Sequence, residues 1–307
     1  MCSKTKYVIN LKEIEDNFMQ AVDFVGTDTK VSAVVKSNAY GLGAIPVSKI
    51  LYDAGCRHFW TAYISEAIEL RESLPEDVEI FYLQGYKKQH ERYIIRYRLI
   101  PVINDALEFS GLKGSFPVVV HIDTGMTRLG VREENLDIIL ANIEKVDVKY
   151  IMSHLACSDD PKHKKNKEQK NKFDTILQKI RAIKHVKATL SATGGMYLGE
   201  EYHYDMVRLG AHLYGIKLSD LLPPKKVLTI HTDSLQEYDV CSGTTFGYGA
   251  TYQTDKHISV SVASIGYADG LMEKNAKSYT DIMQASVNYK DSTILGRISM
   301  DLIVVKR

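Results

Sequence analysis

The sequence predicts an α/β protein: a TIM-like (β/α)8 barrel followed by a smaller, mostly β domain. Three observations predict it. Apolar, β-branched runs alternate with amphipathic stretches, the pattern of βα units around a parallel sheet. The alternation repeats eight times between residues 31 and 214, which suits a closed barrel better than an open doubly wound sheet. Beyond Pro223-Pro224 helical patterning gives way to β-like runs.

Taken in order, the candidate strands lie at 31–36, 58–63, 78–83, 99–103, 117–123, 148–154, 187–192 and 205–214. Their apolar character is largely continuous, as burial on both faces of a parallel sheet requires. Between them Ile64–Ser73, Glu133–Lys145 and Asn171–Ile183 carry apolar residues three and four apart, the spacing of a helix with one buried face. The basic run 162–172 contains no aromatic residue, so it reads as a solvated loop and helix face and not as a nucleic-acid site. Strands expected after the prolines are Val227–Thr232, Ile258–Ile265, Asp281–Val287, Thr293–Leu295 and Leu302–Val305. The domains are therefore 1–218, a barrel, and 219–307, a β-rich C-terminal domain.

Composition narrows the function classes. The 307 residues are 45% hydrophobic and 25% charged, enough to bury one large core and a smaller one. A formal charge of +1 gives no reason to expect nucleic acid or an anionic membrane as partner. Cys2, Cys56, Cys157 and Cys241 are far apart and without CxxC spacing, so they read as reduced thiols, with no zinc or other metal site implied. No apolar stretch reaches the ~18 residues needed to span a bilayer, and a cytoplasmic location is expected.

The chemistry belongs at the C-terminal ends of the barrel strands. Lys36 ends the first candidate strand, where the run Val31–Val35 passes directly into Lys-Ser-Asn-Ala-Tyr-Gly. Desolvation there lowers an amine's pKa and raises its nucleophilic fraction, as Schiff-base formation with an aldehyde cofactor needs. A snorkelling lysine at a strand end is the structural alternative. His154 ends the sixth strand, Thr193-Gly194-Gly195 follows the seventh, and Arg208 and Gly210 lie on the eighth. Small residues after strands seven and eight suit a phosphate held by backbone N–H groups.

Seven blocks, in order, resemble the alanine racemase family of fold-type III pyridoxal-phosphate enzymes. They are 35–43, 123–130, 153–159, 205–215, 247–252, 266–270 and 296–301, and include Asp-Thr-Gly-Met-Thr-Arg-Leu-Gly, Gly-Tyr-Gly-Ala-Thr-Tyr and Gly-Arg-Ile-Ser-Met-Asp. The resemblance implies interconversion of L- and D-alanine on pyridoxal 5'-phosphate by a homodimer with shared active sites, supplying D-alanine for peptidoglycan. It implies that Lys36 carries the cofactor and acts as one base, with Tyr248 of the partner subunit as the other, linked to His154 and Arg208. Tyr40, Thr193 and Gly210 would hold the phosphate and Arg208 the pyridine nitrogen. Arg128 would contact cofactor and substrate, while Tyr267 and Met300 would shape the substrate pocket, with Asp301 and Arg297 behind them.

Three departures from the family pattern stand out. His121 replaces a carbamylated lysine that orients the arginine, and a neutral imidazole can instead accept a hydrogen bond from Arg128. Ala192 replaces an asparagine near the cofactor. Family members continue past the Gly-Arg-x-x-Met-Asp block, whereas this chain ends at Arg307, so the β domain is expected to be truncated. A pyridoxal-phosphate carrier, an inactive relic and a serine or broad-specificity racemase remain as alternatives. The β domain with its Gly-Tyr-Gly block argues against the carrier.

Overall fold

Strands β2 (Lys30–Val34), β3 (His58–Thr61), β4 (Glu79–Tyr82), β5 (Leu99–Ile103), β6 (Val118–His121), β7 (Val148–Met152), β8 (Lys187–Thr189) and β9 (Met206–Leu209) form one sheet in the order 8-7-6-5-4-3-2-9, preceded in sequence by β1 (Thr5–Ile9). Its paired strands are parallel, with Ala33 opposite Phe59 and Met152 opposite Thr189. The ring closes as Asp205 donates to the Ala188 carbonyl and Arg208 to that of Ser191, at 3.1 and 2.9 Å. In this computed structural model, residues 5–112, 116–271, 285–287 and 290–307 are described.

Both faces of the ring are buried, which explains the continuous apolar runs. Inside, Val34, Trp60, Phe81, Ile100, Val119, Tyr150 and Met206 form one cluster, with Trp60 stacked on Phe81 at 4.3 Å. Outside, Val31, Ala33, Phe59 and Val120 pack under the helices. Each expected barrel strand is present. The helix Ile64–Ser73 matches its expected bounds, and the stretch 133–145 is a helix over Leu136–Asn142 with a 3-10 turn at each end. The helix expected at 171–183 starts earlier, as Lys164–Arg181, because the His163 ring caps the Lys165 N–H and Asn166 and Gln169 turn inward. Unanticipated was the helix Leu11–Val25, where Asn10 caps the N–H groups of Lys12 and Glu13 and Ile14, Phe18 and Ala21 form the buried stripe.

The chain divides into Ile9–Val227 and a β-rich unit made of Leu228–Arg307 with the segment ending at Val8. The division thus falls nine residues beyond the expected 218/219 boundary, since Val227 accepts from Asn10 and Lys225 is held by Asn17. Strand β1 pairs with β10 (Leu228–Thr232). Strand β11 (Ser234–Val240), the hairpin of β12 (Thr245–Phe246) with β13 (Tyr252–Gln253), and β14 (Ile258–Ala263) follow. The last strands are β15 (Ala285–Val287) paired with β16 (Lys290–Ser292), then β17 (Ile294–Leu295) and β18 (Ile303–Lys306). One antiparallel sheet runs β11-β14-β18-β17. Residues 281–284 of an expected strand, and Cys2, lie outside the described residues.

Candidate active site

Lys36 follows β2 and opens onto a cavity of about 280 Å³ at the C-terminal end of the barrel. Tyr40, His121, Arg128, His154, Thr193, Arg208 and Gly210 line the same cavity. Burial and then the Arg128 guanidinium hold the Lys36 amine below its usual range, with Glu66 pulling the other way. The amine therefore has an enlarged neutral fraction.

The turn that carries Lys36 is left-handed. Ser37, Asn38, Ala39 and Tyr40 have φ of 54, 55, 53 and 57°, a conformation costing about 1–2 kcal/mol per non-glycine residue. Neighbouring hydrogen bonds over-determine it. Glu66 accepts from the Ser37 N–H at 2.7 Å while holding Ala62 and Tyr63, and Asn38 Oδ1 accepts from Ala44 at 2.7 Å. The result turns Tyr40 onto Tyr214, ring centroids 4.5 Å apart, and Tyr214 is itself anchored to the Val34 carbonyl at 2.8 Å.

Tyr40 Oη then lies over Gly210, where a Cβ would approach it to 2.8 Å, so only glycine leaves this cradle open. Burial keeps the Tyr40 hydroxyl protonated and a donor. Thr193 Oγ1 accepts from Gly210 N–H at 3.0 Å and from His212 N–H at 3.5 Å, leaving its own proton free to donate outward. The backbone of Gly210, expected to face an anion, is thus bonded to Thr193 in this structure. Ala192 caps the Thr193–Met196 turn without a side-chain hydrogen bond.

Arg208 is fully enclosed. Its Nη1 donates to Thr189 Oγ1 at 2.6 Å, and Nη2 faces the carbonyls of Ser153 and Leu190 and His154 Nδ1 at 2.7, 3.0 and 3.2 Å. Burial lowers its pKa to about 9, still a cation at neutrality, and among the described residues Nε has no acceptor. Because Nδ1 of His154 accepts from a guanidinium, the imidazole's proton sits on Nε2. Burial and then Arg208 hold that ring's pKa down at about 3. His154 is thus neutral, with its N–H turned away from Arg208.

His121 is also neutral, held at about 4 by burial and then Arg208. Arg128, exposed at the cavity mouth, has no hydrogen bond or ion pair among the described residues and is available to an anion. Its loop is shaped by Asp123, whose Oδ1 accepts from Gly125 and Thr127 at 2.9 and 3.0 Å.

Tyr248, Tyr267 and Met300 belong to the β-rich unit. Tyr248 is 72% exposed in a turn between Gly247 and Gly249, which packs on Arg297. The Tyr267 N–H donates to Ser299 at 3.1 Å, and a Cβ on Gly266 would collide with the Met300 carbonyl, so these segments lie against each other.

Sequence reasoning missed Asn104, Glu66 and Gln169. Asn104 had a usable signal, its place directly after a barrel strand. Gln169 had none, for it sits in the basic helix, yet it binds both the His154 carbonyl and Ala156 N–H, at 2.9 and 2.8 Å.

A cavity that pairs an amine of lowered pKa with hydroxyl donors for a phosphate, a free guanidinium and a neutral histidine is equipped to hold an aldehyde cofactor and move protons at a substrate carbon. Residues 9–218 match the family model "Alanine racemase, N-terminal domain" and 227–307 match "Alanine racemase, C-terminal domain". The chain is 34% identical to the alanine racemase of Rickettsia conorii, over 96% of this chain and 82% of that one. The alanine racemase of Brucella canis is 33% identical, over 90% and 74%. The crystal structure of alanine racemase from Bartonella henselae with covalently bound pyridoxal phosphate superposes with a TM-score of 0.85 at 33% identity, covering 99% of this chain and 86% of that one.

Proposed function

The chain belongs to the alanine racemase family, a pyridoxal-phosphate enzyme interconverting L- and D-alanine, and from that premise we propose how its residues divide the work. The observation that carries the reading is the convergence of Lys36, Tyr40, Arg128, His154, Thr193 and Arg208 on one cavity. Bound pyridoxal phosphate supplies an electron sink that makes the hydrogen on an attached amino acid's α-carbon acidic.

Lys36 holds the cofactor and, through its depressed pKa, takes up and returns the proton on one face. The Tyr40 and Thr193 hydroxyls donate to the phosphate. Arg208 Nε would donate to the pyridine nitrogen and, as a cation at neutrality, would leave that nitrogen unprotonated. Arg128 pairs with the substrate carboxylate. Inversion needs a second proton donor and acceptor on the opposite face. We assign that role to Tyr248 of a second copy of the chain, with His154 Nε2–H hydrogen-bonded to its oxygen and Arg208 behind it. Tyr267 and Met300 line the substrate entrance. The product D-alanine serves peptidoglycan synthesis in the cytoplasm.

Mixing Lys36→Ala and Tyr248→Phe chains, each inactive alone, tests the assignment. Racemisation should return on mixing, since each mixed dimer assembles one site with both bases. No recovery after verified subunit exchange would remove the shared site, and full activity of Tyr248→Phe in both directions would end the two-base roles.

A further inference from the structure

A second cavity, of about 450 Å³, lies at the other end of the barrel, among the N-terminal ends of its strands. Residues at that end of such barrels ordinarily serve stability and not chemistry. Here they form a charged bowl. Arg57 is matched by Asp77 at 2.8 Å, and Lys149 by Glu79 at 3.3 Å, while the second Glu79 oxygen lies 3.5 Å from His58 Nε2. Lys30 on β2 and Lys187 on β8 line the same cavity and, among the described residues, have no carboxylate or other acceptor. Burial first, and then Lys30, Lys187 and Lys149 against the pull of Glu79, hold His58 well below its usual range, so these cations converge on one place.

Tyr150 supplies the second, independent observation. It is 2% exposed, sits opposite Lys187 in the β7/β8 register, and lines the cavity with a hydroxyl that has no hydrogen-bond partner among the described residues. Glu79 and then Asp205 lie within its electrostatic reach; Glu79 is taken up by Lys149 and faces His58, and Asp205 is taken up by the Ala188 N–H at 2.7 Å and Arg181 at 3.2 Å. The hydroxyl oxygen is not sealed from solvent, so its proton is open to a ligand in the cavity. Two uncompensated cations and a directional O–H donor around a solvent-open bowl match a dianion with acceptor oxygens.

We propose that this cavity binds a phosphate group, free or as the monoester of a small metabolite, through Lys30, Lys187 and the Tyr150 hydroxyl. The site is separate from the cofactor cradle at Tyr40 and Thr193, which lies at the opposite ends of the strands.

The test is calorimetric titration of the cofactor-loaded enzyme, its own phosphate cradle filled, with inorganic phosphate and with ribose 5-phosphate at fixed ionic strength. One equivalent per chain should bind. Lys30→Ala, Lys187→Ala and Tyr150→Phe should each weaken it about three- to tenfold while racemisation is unchanged. Tighter binding of ribose 5-phosphate assigns the site to a monoester, and equal or tighter binding of inorganic phosphate assigns it to the free ion. Thermal melts of the variants establish that they are folded. Absence of saturable binding by both probes overturns the proposal. So does binding that survives the Lys30→Ala/Lys187→Ala double variant, or that is lost in Tyr40→Phe alone.

Discussion

Asn104 Oδ1 and His121 Nδ1 are joined by a 2.8 Å hydrogen bond that fixes which nitrogen of the histidine carries the proton. The Asn104 amide nitrogen is committed to the Leu83 carbonyl at 3.0 Å, so its oxygen must face the ring. Oxygen only accepts, hence Nδ1 donates and Nε2 is a bare acceptor. His121 lies within electrostatic reach of Arg128, and a bare Nε2 is the atom that can steady the guanidinium there.

Asn104→Ala should therefore free the tautomer and let Nε2 carry the proton, removing the acceptor that His121 offers to Arg128 when a substrate carboxylate draws the guanidinium in. A neutral hydrogen bond is worth about 1 kcal/mol, so KM for alanine should rise several-fold with a smaller change in kcat. Asn104→Asp keeps an acceptor for Nδ1 but sets a carboxylate oxygen against the Leu83 carbonyl and favours a protonated ring, so it should not restore KM. Because His121 cannot be carbamylated, added bicarbonate should leave the rate unchanged. Steady-state kinetics of both variants check this, and an unaltered KM in Asn104→Ala or bicarbonate activation would refute it.

Gly210→Ala should close the cradle by driving a methyl group into Tyr40 Oη, 2.8 Å away in the present geometry. Loss of a hydrogen bond to a charged phosphate costs roughly 1.5–3 kcal/mol, so cofactor affinity should fall about ten- to a hundredfold. Tyr40→Phe should lower affinity similarly. In the double variant the two losses should add up to less than their sum, because the hydroxyl that meets the new methyl is gone. Fully additive losses in equilibrium dialysis would show that the two residues do not share the cradle.

Stability should fall in mild acid. Burial holds His121 and His212 at about 4 and His154 at about 3, against an ordinary value of about 6.5 in the unfolded chain. Below about pH 6.5 the unfolded chain therefore binds protons that the folded chain refuses. The stabilisation is complete above that pH and drains as pH falls toward the folded values. Each ring contributes a slope of up to about 1.4 kcal/mol per pH unit in that window. Urea midpoints at pH 7.5, 6 and 5 measure it, and a midpoint constant across that range would show that these rings are not held neutral.

The barrel was legible because its strands are buried on both faces, which gives runs such as Leu99–Ile103 no polar interruption. Strand β11 was not, since nearly every one of its side chains is exposed and no apolar periodicity marks it. Strand β1 escaped because its partner, β10, lies beyond the whole barrel in the sequence. Within the site, Lys36 stood out as a charge at the end of an apolar run. The left-handed turn after it was invisible, as Ser37, Asn38, Ala39 and Tyr40 include no glycine to announce positive φ. The roles of Tyr248, Tyr267 and Met300 came only from the resemblance, because nothing in an exposed loop residue's own neighbourhood specifies what it is to meet.

The measurement that bears most directly on the account is borohydride reduction of the cofactor-loaded enzyme followed by peptide mapping. Lys36 is the amine that burial and Arg128 hold below the usual range at the cavity, so the reduced cofactor should appear on the peptide containing Lys36 alone. Lys36→Ala should lose both the label and racemisation while keeping its fold by circular dichroism. Label on a different lysine, or racemisation that survives in Lys36→Ala, would contradict the assignment from which every other role in the site follows.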